Sequence, residues 1–114
     1  MIIATTPYVA GFRVGETKGH VFGLVVRSRG LAGNLAAGLR SLAGGEIHEY
    51  TSLLEDTRRQ AIDRMVQNAT MMGANAVLSM RFDSSEMGTT MSEIVAYGTA
   101  VVLVPDAAAP TASE

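Results

Sequence analysis

The sequence predicts an α+β protein in which an antiparallel sheet packs against one long and one short helix. Three strings carry that expectation. EIVAYGTAVVLV at residues 93–104 is apolar at nearly every position, which marks a strand covered on both faces. GGE at 44–46 opens a long helical pattern, and GANAV at 73–77 closes it and begins the next strand. A chain of 114 residues has little material with which to cover both faces of such a strand, so identical neighbours are expected to complete the core.

From the start of the chain, residues 2–5 and 8–28 are rich in Val, Phe and Tyr and are interrupted by Gly11, Gly15, Gly19 and Gly23. This pattern predicts short strands and a hairpin, with the turn at 15–19. The same turn holds two glycines, Thr17 and Lys18, but not in the order of a phosphate-cradling loop, so no nucleotide site is read from it. Between 31 and 42, Leu31, Leu35, Leu39 and Leu42 share one face of a short helix, with Asn34 as its cap and Gly44-Gly45 as its exit.

The clearest helix spans 46–72, where Ile47, Tyr50, Leu54, Ala61, Met65, Ala69 and Met72 form a single apolar stripe. Such a helix is about 40 Å long, comparable with the whole subunit. Ser52 and Glu55 form a capping-box pattern that allows a later start, leaving 46–51 as a separate turn. A strand at 75–82, a polar turn at 83–88 and a returning strand at 91–104 follow. On the returning strand, Met91, Glu93, Val95, Tyr97, Thr99 and Val101 take one face, and Ile94, Ala96, Gly98, Ala100 and Val102 the other. One domain is therefore expected over 1–105, with 106–114 as a disordered tail.

Composition narrows the function classes. The chain is 47% hydrophobic and only 18% charged, which places apolar area at subunit contacts. Its net charge is -2 with the cations scattered, so nucleic acid is not an expected partner. There are no cysteines, which removes disulfides, thiolate catalysis and the usual soft-metal ligands. The longest mostly apolar stretch falls far short of the roughly 20 residues a spanning helix needs, and no leader pattern is visible, so a cytoplasmic protein without a membrane partner is expected.

Together, GLRSLAGGEIHEYTSLL, the segment from Arg58 to Met65, GANAVLSMRFD and MSEIVAYGTAV make the chain resemble the YbjQ-like family of small bacterial proteins, which is uncharacterised and often labelled heavy-metal-binding. The resemblance implies a dodecin-like two-layer subunit, an antiparallel sheet backed by helices, in a homopentameric ring able to stack into a decamer.

Candidate site residues fall into two groups. Gly45, Glu46 and Tyr50 sit where a glycine pair meets a helix start, a place where a ligand can approach the backbone. Glu93 and Tyr97 share a face of the returning strand, and Arg58 interrupts the apolar stripe, so an Arg58–Glu93 pair is expected within a subunit or across an interface. Metal ligands, if any, are sought among Glu46, His48 and Glu49, with a divalent ion as the only cofactor class entertained. No catalytic residue is assigned, since no serine or threonine has an activating partner in any motif. The function expected is therefore a ring-forming oligomer serving as a small-ligand-binding or scaffold module. The alternatives are a metal-binding or sensing protein, and an enzyme with an intersubunit site using Glu46 or Glu93 as general base.

Overall fold

The computed structural model describes residues 1–28, 48–87 and 91–107. Its elements are β1 (Ile2–Ile3), β2 (Phe12–Ser28), α1 (His48–Met71), β3 (Ala76–Met87) and β4 (Met91–Pro105). The four strands form one sheet in the order β1-β3-β4-β2. β4 is central and antiparallel to both long neighbours, while β1 runs parallel to β3 through Ile2 and Ile3. The sheet is thus mixed rather than wholly antiparallel. The expected short helix at 31–42, the residues Gly44, Gly45 and Glu46, and the end of the tail lie outside the described residues.

Two expectations about turns are corrected. Residues 12–28 form no hairpin: β2 is one strand of 17 residues, paired along its length with the 15-residue β4. Its pairing shifts between Val14 and Glu16 and again between Thr17 and Gly19, so the glycines that suggested a turn mark bulges instead. Gly19 adopts φ 126°, a conformation that favours glycine. Residues 83–87 likewise belong to β3, not to a turn. The physical reason is β4 itself, whose long apolar run needs hydrogen-bonded partners of equal reach on both sides.

α1 is helical from His48, so the later start at Ser52 is not used. Its end explains GANAV. The Ala74 amide reaches Ala69 O at 3.0 Å and the Gly73 amide reaches Thr70 O at 3.0 Å, with Gly73 at φ 85°. These two bonds make a Schellman motif, which satisfies the last helical carbonyls. Asn75 then clamps β4: its Nδ2 donates to Leu103 O at 3.0 Å and its Oδ1 accepts from Leu103 N at 2.7 Å.

Directly paired residues point to the same side of a sheet, so register assigns the faces. Val21, Val25, Val77, Ala96 and Ala100 point toward α1 and enclose Ala61, Met65 and Ala69 in the main core. Gly23 lies on this side, and a Cβ there would collide with the helix backbone at Ala61 O and Met65 N. Glycine therefore lets the helix rest directly on β2. A bulge at Ser79, with φ 54°, is seated over Gly98 in the same way, since a Cβ at 98 would sit 2.8 Å from Leu78 O. On the opposite face, a smaller core of Ala76, Leu78, Val101 and Leu103 is covered by Ala4 and Val9. Among the described residues that cover ends at the level of Leu78, and Phe22, Val26 and Tyr97 beyond it are exposed.

Candidate functional site

The register decides the fate of the expected Arg58–Glu93 pair. Glu93 pairs with Val26 on β2 and Ser85 on β3, so it stands on the face opposite α1. Arg58 projects from α1 over the Phe82 ring, 5.0 Å from its centroid, and Phe82 pairs with Ala96 on the helix side. The sheet lies between the two groups, so no pair forms within one chain. Glu93 instead accepts a hydrogen bond from Ser85 Oγ at 2.7 Å, across directly opposed residues. Arg58 gains a cation–π contact where the helix stripe called for an apolar residue.

Around Arg58 a hollow of about 280 Å³ is lined by Leu54, Arg58, Phe82, Asp83, Ser84 and Ile94. Leu54 lies on the apolar stripe of α1 yet is 41% exposed, and it borders this hollow together with Ser84 and Ile94 of the sheet. The arrangement offers an aromatic floor, aliphatic walls and a guanidinium. Asp83 and Ser84 also line it, with the Asp83 carboxylate accepting from the Ser84 amide at 2.9 Å.

Glu93 and Tyr97 belong to a larger surface. Rows across the face opposite α1 read Arg81–Tyr97–Phe22, Asp83–Val95–Leu24 and Ser85–Glu93–Val26. Phe22 is 50% exposed, Val26 44% and Tyr97 42%, and Met91 extends the patch toward the hairpin tip. His20 stacks parallel to Phe22 at its other end, with ring centroids 6.4 Å apart. Phe22, Leu24, Val26 and Arg81 were not singled out by the sequence analysis. The signal was present in the alternation of 21–26, where Gly23 marks the side that the helix touches and leaves 22, 24 and 26 for the other.

Tyr50, His48 and Glu49 lie in the first turn of α1. Gly45 and Glu46 are outside the described residues. Among the described residues no three His, Asp or Glu side chains gather as a metal site. No helix among them is long and apolar enough to cross a membrane.

The fold and these surfaces define a class: a small α+β protein with a four-stranded mixed sheet, a helix on one face and an apolar patch on the other. Residues 1–104 match the YbjQ family, described as "Putative heavy-metal-binding". The chain is 63% identical over 105 residues to a UPF0145 protein of Bradyrhizobium sp. (strain ORS 278), covering 92% of this chain and 95% of that one. It is 56% identical over 109 residues to a UPF0145 protein of Methanoregula boonei, covering 96% and 91%. The chain belongs to the YbjQ family. Its fold is also similar to the crystal structure of a DUF74-family protein of unknown function from Pediococcus pentosaceus, with TM-score 0.52 and 17% identity over 93% of this chain and 98% of that one.

Proposed function

We propose that this protein is a self-assembling, ring-forming module, with a homopentamer as its unit, that serves as a scaffold or holds a small organic ligand. One observation carries the reading. Phe22, Leu24, Val26, Met91 and Tyr97 stand exposed side by side on one sheet face. With Phe22 and Tyr97 half exposed, this patch amounts to on the order of 400 Å² of apolar surface, the size of the largest apolar patch on a typical small protein, which is often a functional one. The low charge content agrees, since 18% charged residues leave few polar groups to shield it. The hollow at Arg58 and Phe82 supports the ligand-holding part of the reading.

Native mass spectrometry at neutral pH, before and after chelation, tests it. The expected species is a multiple of 12.0 kDa whose mass and assembly do not change with chelator. A retained non-protein mass would favour ligand holding over a bare scaffold. Mass lost on chelation would turn the reading toward the metal-binding alternative, and a lone 12.0 kDa species would overturn it.

A further inference from the structure

We infer that copies of this chain meet through the sheet face opposite α1, around Leu24, and not by adding strand to strand at the sheet edges; the inference rests on the self-assembly proposed above. Exposed strand edges are the usual rival surface, because their free N–H and C=O groups accept a partner strand.

Here side chains and backbone of the same chain occupy part of each edge. At the outer edge of β2, Arg64 Nη1 donates to Leu24 O at 2.6 Å and Asn68 Nδ2 donates to Phe22 O at 2.8 Å. Both residues come from α1, spaced four apart, and Gly23 lets the helix approach closely enough for the short Asn68 side chain to reach. A strand entering beside residues 22–24 would have to displace both bonds.

The outer edge of β3 is occupied by other means. β1 and the segment that follows it take the first part, with the Ala4 amide on Val77 O and the Met80 amide on Ala4 O. Arg81 Nη1 then donates to Thr5 O at 2.8 Å and Met80 O at 2.9 Å. Further along, the Ser84 amide is taken by Asp83 Oδ1 at 2.9 Å. Backbone groups that would template a new strand are thus partnered at 77, 80 and 84.

The face opposite α1 is the contrary case. Its lower part is already a small core under Ala4 and Val9, and the same row pattern continues upward through Val95 to the exposed Phe22, Leu24, Val26 and Tyr97, where no described residue covers it. Its roughly 400 Å² is about half of the ~800 Å² one partner contributes to a stable interface, leaving the polar rim to supply the rest. The rim carries both signs, with Arg81 in one row and Asp83 and Glu93 in the next two, so it can pair with charged groups of either sign on the different surface that a neighbour in a ring presents to it. A second copy of this chain is the occupant that the continuity of the core and the mixed rim both fit.

Two variants separate face from edge. Leu24→Glu puts a carboxylate in the middle of the patch, and Ser84→Pro removes an edge N–H that only Asp83 uses. With far-UV circular dichroism confirming each fold, sedimentation is expected to show at least a ~10-fold weaker assembly for Leu24→Glu and an unchanged one for Ser84→Pro. The reverse pattern would overturn the inference. A readout on the wild-type protein covers the case of a variant that misfolds. Brief peroxide treatment and peptide mapping compare Met91, on the face, with Met71, which is 84% exposed on the helix. The Met91-to-Met71 oxidation ratio is expected to rise several-fold when the assembled protein is diluted to protomers, and a constant ratio would overturn the choice of face. A wild-type chain that never assembles would instead refute the self-assembly on which the inference rests.

Discussion

Replacing Gly23 by Ala adds one methyl group where the structure has no room for it. The new Cβ would meet Ala61 O, Met65 N and the Arg64 carbonyl carbon, all of them helix backbone, closer than any real Cβ contact. No rotamer change relieves this, so α1 must lift from β2 as a unit. Overpacking of this kind costs about 1–3 kcal/mol. Lifting also stretches the Asn68 bond to Phe22 O and the Arg64 bond to Leu24 O, each worth about 1 kcal/mol. Against that, alanine restricts the unfolded chain and returns about 0.4–1 kcal/mol. The net loss is about 3 kcal/mol, read as the shift in urea midpoint at one fixed protein concentration, because assembly makes stability concentration-dependent. Gly11→Ala is the control: nothing lies within 4 Å of its Cβ, and its φ of 83° alone costs about 1 kcal/mol. Equal midpoints for Gly23→Ala and wild type, or a Gly11→Ala loss as large as that of Gly23→Ala, would refute the contact between helix and strand.

Asn75→Ala removes both hydrogen bonds to Leu103 and is expected to lower stability by about 2 kcal/mol in the same urea assay, with hydrogen exchange rising first at the Leu103 amide. Gly98→Ala presses a methyl against Leu78 O and Val77 and is expected to cost about 2 kcal/mol while disordering the bulge at Ser79, read from amide shifts of 78–81. Arg58→Ala removes the cation from the Phe82 ring and is expected to cost under about 1 kcal/mol, since Arg58 itself is exposed; a far larger loss in thermal melting would mean that Arg58 has a buried partner.

Much of this structure was legible in the chain. The stripe through Ala61, Met65 and Ala69 specified the helix and its buried side, because a 3.6-residue repeat has one geometric solution. Gly73 and the apolar residues after it specified where the helix stops. The alternation from Met91 to Val101 placed Glu93 and Tyr97 on one face, as the register places them. The glycines of β2 were ambiguous for a physical reason: Gly15 and Gly19 permit a reversal or a bulge equally well, and only the length of β4 decides between them. β1 was unreadable as a parallel strand, since its two residues carry no periodicity. The Arg58–Glu93 expectation failed within the chain because a helix stripe and a strand alternation each say which side faces the core, but not that the sheet separates these two groups. The candidate residues Gly45 and Glu46 lie outside the described residues, so their proposed ligand role rests on sequence alone.

Sedimentation equilibrium of the wild-type chain at micromolar concentration separates an assembled protein from a free protomer. A single species at a multiple of 12.0 kDa is expected, held together without added metal. A compact, non-aggregating species of 12.0 kDa would contradict it, because the patch around Leu24 would then be stable in water with no neighbour to cover it.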